Sequence, residues 1–175
     1  MEVILEILKY TIPALIVFLS SYFIHRQYLN NQYHLQSLEL KARYSKEAIP
    51  LKLQAYERLI LFCDRISIPS LIMRLKTQEM RSVELKDVMM IATQKEFEHN
   101  IAQQLYTSKK LWEIISLAKN DIINFVEVHA KQCSSDASAN ELAQILLREY
   151  NQLKSKPAEL AIQAIKEEAK IILNV

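Results

Sequence analysis

Of the 175 residues none is glycine, four are proline and two are cysteine. At an average usage of about 7%, a chain of this length would carry about 12 glycines. Their absence removes the default residue for type I′, II and II′ turns and for the left-handed cap that closes many helices. Phosphate-cradling loops and dinucleotide fingerprints are excluded, since both require glycine at fixed positions. Tight-turned β architectures are disfavoured for the same reason. The composition predicts an all-α chain whose loops are built from Ser, Asn, Asp and Pro.

The other scarcities point the same way. Cys63 and Cys133 lack the paired spacing of a zinc site or a disulfide framework, and each reads as a small core residue on an apolar helical face. Twenty-two Lys and Arg against 20 Asp and Glu give a net charge of +2, which supplies no general drive toward nucleic acid. Half the residues are hydrophobic, enough for the core of one domain of ordinary size.

That near-neutral average hides a local asymmetry. Val3 to Ile24 reads VILEILKYTIPALIVFLSSYFI, with Glu6 and Lys9 as its only charges. As a helix it extends about 33 Å, against a hydrocarbon thickness of roughly 30 Å. Glu6 and Lys9 lie three apart near one end, where they can pair or reach the interface. Tyr10, Tyr22 and Tyr28 fall where interfacial aromatics are expected, and Pro13 is tolerable in a membrane helix. Three other readings compete. A cleaved signal peptide wants a basic start and small residues at the cut, whereas this chain starts Met-Glu and offers Ser20-Ser21-Tyr22-Phe23. An interfacial helix needs a wide polar face, which Tyr10 to Ile24 lacks. A buried core helix stays open. The pattern favours a transmembrane anchor over residues 3–24, embedded in membrane lipid.

Orientation follows from the flanks. Residues 25–58 carry Arg26, Lys41, Arg43, Lys46, Lys52 and Arg58 against Glu39, Glu47 and Glu57. This basic excess places the following chain in the cytoplasm and the amino terminus outside. Arg26, Lys41, Arg43 and Lys46 alternate with Tyr28, Tyr33 and Tyr44. That pattern would suit nucleic acid elsewhere, but beside a membrane it is explained by anionic headgroups, so no nucleic acid is expected.

Residues 25–49 contain no helix breaker and predict a juxtamembrane stalk, with Tyr28, Leu35, Ala42 and Ile49 recurring every seven and Leu38 between them, a weak coiled-coil stripe. Pro50 interrupts it or starts the next helix. Residues 50–175 then read as an antiparallel cytoplasmic bundle. Leu53, Tyr56, Ile60, Cys63 and Ile66 form one face, and Pro69 opens a short helix through Leu75. After a polar loop at 76–81, Ser82 is the expected N-cap of a helix running to about Tyr106. Thr107 or Ser108 caps the next, whose stripe Leu111, Ile115, Ala118, Ile122 and Phe125 runs toward Cys133. Residues 134–139, SSDASA, form a loop, Ser138-Ala-Asn-Glu141 a capping box for a helix to about Lys154, and Pro157 opens the last, with Leu160, Ala164, Ile165 and Ile172 apolar.

One segment has the residues for chemistry. Glu96 and His99 stand at i, i+3, the half-site spacing of a di-iron carboxylate bundle. The second Glu-x-x-His is missing, and Glu127-Val-His129 has the wrong spacing to replace it. A phosphoryl-accepting His99 lacks a neighbouring signature. Glu98, His99, Asn100, Gln103 and Gln104 are better read as a polar network between helices or toward a partner. His25 and His34 read as interfacial, His129 as a helix-end core residue and Trp112 as a packing anchor. Activated nucleophiles are absent from the pattern. No cofactor is expected.

The segments YERLILFCDRISIPSLIMRL (Tyr56 to Leu75) and KEFEHNIAQQLYTSKKLWEII (Lys95 to Ile115) resemble an uncharacterised family of Bacteroidota proteins. That resemblance implies one amino-terminal transmembrane helix, a cytoplasmic helical domain and a bacterial inner-membrane location, and it carries no activity. The expectation is a non-enzymatic accessory or scaffold protein that binds a protein partner or a further copy of itself. The alternative is a helical bundle that holds a metal or small ligand at Glu96 and His99.

Overall fold

A computed structural model describes residues 2–134 and 136–173, with side chains described except at 2–14, 34, 38 and 41–45. Among the described residues six α-helices and one 3-10 turn account for all regular structure: α1 Glu2–Arg65, α2 Ile68–Leu75, α3 Ser82–His99, a 3-10 turn Ile101–Leu105, α4 Lys109–Ala130, α5 Ala139–Gln152 and α6 Pro157–Leu173. The chain divides into two compact units, Met1–Ala48 and Ile49–Val175.

The first unit is the amino-terminal part of α1. Its apolar side chains from Leu15 to Leu19, with Tyr22, Phe23 and Ile24, are exposed. Ser20 donates its hydroxyl to the Ile16 carbonyl at 2.8 Å, which satisfies it within the helix. Among the described residues no helix is long and apolar enough to cross a membrane. The described side chains of the expected anchor begin at Leu15, and those of Glu6, Lys9, Tyr10 and Pro13 lie outside the described residues. Of the weak heptad stripe, Tyr28 and Leu35 are exposed, and the Leu38 and Ala42 side chains lie outside the described residues.

Pro50 does not end the helix, contrary to expectation: α1 continues through it to Arg65. A proline removes one i→i−4 bond, here the one to the Lys46 carbonyl, while its fixed φ is itself helical. Packing farther along offsets that local loss, because Ala55, Tyr56, Leu59, Phe62, Cys63 and Ile66 are all buried. This face is rotated from the expected one. Leu59 and Phe62 join its centre, and Leu53 and Ile60 lie half-buried at its edges.

In the second unit α4 packs against α6, α3 and α5, α3 contacts α5 and α2, and α2 contacts α5. The α4 stripe is buried at Leu111, Ile115, Ala118, Ile122 and Val126. Val126 takes the place expected for Phe125, because the step from Ile122 is four residues rather than three. Phe125 is half-buried instead, edge-on to Tyr150 at 5.8 Å and near the His129 ring at 4.2 Å. Cys133 lies past the end of α4 and is half-exposed, so it is not a core residue on a helical face. In α6, Ala161 and Ile165 are buried and Leu160 points to solvent.

The helix ends show how the chain does without glycine. Lys76 and Leu153 close α2 and α5 in extended conformations, φ −73° and −63°, and Asn100 closes α3 at φ −105°. None uses the left-handed region that would favour glycine. Starts are polar. Ser67, Ser108 and Ser138 each accept a backbone N–H from the first turn of α2, α4 and α5. Ser82 is not the cap expected for α3 but its first residue. The cap is Arg81, whose N–H donates to the Glu84 carboxylate at 2.9 Å, and Ser82 is instead buried. That arrangement holds the Glu84 carboxyl below its ordinary range.

Ser82 is buried because two loops are tied there. Its N–H donates to the Ala137 carbonyl and the Ala139 N–H to that of Met80, each at 2.9 Å, bridging Arg81 and Ser138. The expected helix to Tyr106 stops at His99, where the Asn100 side chain donates to the Glu96 carbonyl at 2.8 Å and the chain tightens into the 3-10 turn. Ile115→Ala should lower unfolding free energy by about 2–5 kcal/mol in denaturant titration, through a cavity in the α4 stripe. Leu117→Ala, at an exposed site of the same helix, should change it by about 0.5 kcal/mol or less.

Candidate functional site

The acidic and amide segment on α3 is distributed rather than convergent. Glu96 is mostly covered, and its Oε1 accepts from Arg65 Nη2 at 2.7 Å and Arg74 Nη1 at 3.3 Å. Arg74 also donates to the Arg65 carbonyl at 2.8 Å. The carboxylate thus fastens the ends of α1 and α2 to α3, and two guanidiniums already supply the positive charge that a metal would bring. Next to it Phe97 lies between Phe62 and Trp112, at 6.0 and 5.3 Å, under the Lys119 ammonium at 5.0 Å.

The five residues expected to form a polar network lie around the end of α3. Glu98 accepts from the Gln94 side chain at 2.9 Å, one turn back, and His99 is exposed. Asn100 caps the helix, Gln103 is buried within the 3-10 turn and Gln104 is exposed. Among the described residues, the hydrogen bonds that join members of the five are backbone ones, from the Gln103 N–H to the Asn100 carbonyl at 2.9 Å and from the Asn100 N–H toward the Glu98 carbonyl. No group of three or more His, Cys, Asp or Glu able to hold a metal occurs among the described residues. Of the juxtamembrane basic residues, Arg26 and Lys46 are exposed, and the Lys41 and Arg43 side chains lie outside the described residues.

The structure brings a different set of residues together. An open groove of about 650 Å³ runs between the first turns of α4 and the last turns of α6. Ser108 meets Glu168 there, so α4 and α6 are antiparallel at this end. Leu111, Ile114, Ala164 and Ile172 give it an apolar lining, with Leu105 and Ile171 on its edges at 80% and 76% exposure.

One wall of the groove is polar and fully engaged. The Glu168 carboxylate accepts from the Ser108 N–H at 2.9 Å, from the Ser108 hydroxyl and from the Tyr56 hydroxyl at 3.1 Å. A carboxylate at the N-terminus of α4 is stabilised by the unpaired N–H groups and the helix dipole there. Burial, then the hydrogen bond and charge of Glu168, push the Tyr56 phenol well above its ordinary range. Tyr150, by burial and then the nearby Glu159, is pushed up to about 12. Burial alone pushes the Cys63 thiol up to about 12, which leaves it inert at neutral pH, and burial followed by Glu141 raises that of Cys133.

Ser108 and Tyr56 were both legible as a cap and a core residue. Glu168, Leu105 and Ile171 carry no sequence signal for a site. Their role depends on which turn of α6 lies opposite the start of α4.

The raised phenols have a pH consequence. Below the ordinary tyrosine value of about 10, folded and unfolded chains both keep the proton and the stabilisation is complete. Above it the unfolded chain ionises first, so stability falls as pH climbs toward about 12, the value reached by Tyr150. Thermal melting midpoints should therefore drop steeply from about pH 10 upward, and Tyr56→Phe should flatten that drop. At neutral pH the same variant should cost about 1 kcal/mol for the lost bond to Glu168.

Compared with known protein families, residues 2–172 match a family of unknown function, DUF7935. No curated protein and no solved structure matches the chain. The match spans the first unit and nearly all of the second, and by it this chain is a member of the DUF7935 family.

Proposed function

We propose that this protein is a non-enzymatic accessory or scaffold protein, held in the bacterial inner membrane by residues 3–24, with its amino terminus outside and the Ile49–Val175 bundle in the cytoplasm. The bundle binds or stabilises a protein partner or complex at that face. The observation that carries the reading is the run of exposed apolar side chains from Leu15 to Ile24, interrupted only by Ser20 and Ser21 and continuing an apolar sequence that begins at Val3. Exposed aliphatic and aromatic side chains in such a run are stable against acyl chains and costly in water. Arg26 and Lys46, both exposed, supply the basic flank that favours the cytoplasmic side. For the partner, the support is the open apolar groove on the bundle.

The competing reading is a metal- or ligand-binding bundle at Glu96 and His99. It has less support, because Glu96 is committed to Arg65 and Arg74.

The full-length chain should stay with the membrane pellet after alkaline carbonate extraction. Val17→Lys combined with Leu19→Lys should release most of it, since a lysine at mid-bilayer costs about 2.5–3.5 kcal/mol. Affinity capture in mild detergent should retain a partner at near-stoichiometric yield. A chain that is carbonate-soluble, or one that runs as a clean monomer with nothing bound, overturns the proposal. Stoichiometric metal in the purified protein would favour the competing reading.

A further inference from the structure

The amino-terminal part of α1 carries a second periodicity beside the weak heptad stripe. Phe18, Leu29, Leu40 and Leu51 recur every eleven residues, and Tyr22, Tyr33 and Tyr44 do the same four positions later. Eleven residues make about three turns of an α-helix, so each series stays on one side of it. A step of four is a little over one turn, which sets the two series next to each other as one strip. Phe18, Tyr22, Leu29, Tyr33 and Leu40 are all exposed, and the Tyr44 side chain lies outside the described residues. The heptad series has polar Asn31 and Ser45 at its intermediate positions, whereas the eleven-residue series is apolar or tyrosine at every position.

Every described side chain of the first unit is exposed, so nothing within that unit covers the strip. Its levels from Phe18 to Tyr44 extend over about 39 Å of helix. With residues 3–24 in the membrane, Phe18 and Tyr22 lie in or at the edge of the hydrocarbon, and Leu29, Tyr33 and Leu40 stand in water beyond it. Acyl chains can cover only the first levels, and a soluble protein only the last. A second copy of α1, inserted to the same depth by the same anchor, covers all of them. Insertion in one orientation makes such a pair parallel, and equal depth puts it in register, so each Leu level meets Leu and each Tyr level meets Tyr. Confinement to one membrane also raises the effective concentration of the copies.

We infer that α1 pairs with α1 of a second copy of this chain, parallel and in register, along the strip from Phe18 to Tyr44. The eleven-residue period gives a nearly straight pair with a slight right-handed twist, unlike the left-handed supercoil of a heptad coil. The inference rests on the membrane-anchor part of the reading above and adds to it the face on which copies meet. Each pair brings two Ile49–Val175 bundles to the cytoplasmic side, so a partner with two sites gains avidity.

The test uses the full-length chain in its own membranes, with Cys133→Ser and the buried Cys63 retained. Single cysteines enter at exposed positions: Leu29→Cys, Tyr33→Cys or Leu40→Cys on the strip, Gln27→Cys or Asn31→Cys on the opposite side, and Leu35→Cys on the heptad stripe. Oxidation with copper phenanthroline should give a disulfide-linked dimer from the strip positions and little from the other three. Linkage at more than one level occurs only in a parallel, in-register pair, because an antiparallel pair brings at most one level opposite itself. Tyr33→Glu with Leu40→Glu should cut the yield at Leu29→Cys by about tenfold, through like charges facing each other, while Gln27→Glu with Asn31→Glu should preserve it. Both pairs should melt with the parent, since all four sites are exposed.

Linkage strongest at Leu35→Cys, equal at all six positions, or confined to one strip position overturns the inference. So does the absence of linkage, a linked species that mass spectrometry identifies as another protein, or a yield indifferent to the strip glutamates. If the chain resists carbonate extraction in those cases, the pairing fails alone. If it is carbonate-soluble as well, the anchor fails with it. A carbonate-soluble chain that still links at several strip levels keeps the pairing and loses the anchor.

Discussion

The second unit depends on one continuous apolar stripe. Leu111, Ile115, Ala118, Ile122 and Val126 are buried along successive turns of α4, and α3, α5 and α6 all pack on this helix. An amphipathic helix of this length is marginal by itself in water, so its stability comes from the surface it buries. Each neighbour in turn buries its own narrow face: Leu85 and Met89 on α3, Leu142 and Leu146 on α5, Ala161 and Ile165 on α6. Removing the stripe would leave those faces without a partner.

Hydrophobic burial sets which faces meet but is indifferent to small shifts along or around a helix. Two carboxylates supply the direction. Glu96 fixes the junction of α1, α2 and α3 through two guanidiniums, and Glu168 fixes α6 against the first turn of α4. Both are charge-assisted, and each joins segments distant in sequence. The tie between Met80–Ser82 and Ala137–Ala139 does the same for the two longest loops. A chain without glycine has few permissive backbone positions, and here its least regular segments are also held by hydrogen bonds. That stiffness suits a part that presents a surface more than one that must open and close around a substrate.

The residues with metal-like spacing, Glu96 and His99, are a clamp and an exposed side chain. The concave surface between α4 and α6 combines apolar Leu105, Ile114 and Ile171 with a polar wall in which Glu168 accepts from Ser108 and Tyr56.

Much of the architecture was readable along the chain. The all-α class follows from the missing glycines and the periodicity of apolar residues. Ser108, Ser138 and Pro157 marked helix starts correctly, and four of the five buried α4 positions were legible from spacing, because caps and amphipathic faces are local properties of a few consecutive residues. The failures also have local causes. Pro50 looks like a break until the buried face from Ala55 to Ile66 outweighs it, and Ser82 looks like a cap until a distant loop covers it. What only the tertiary structure decided was the choice among equivalent residues. It assigned Glu96 to Arg65 and Arg74 and Glu168 to Ser108 and Tyr56. Those pairings join residues 22 to 112 positions apart, and no local pattern distinguishes one glutamate from the next until packing has brought a particular turn of one helix against a particular turn of another.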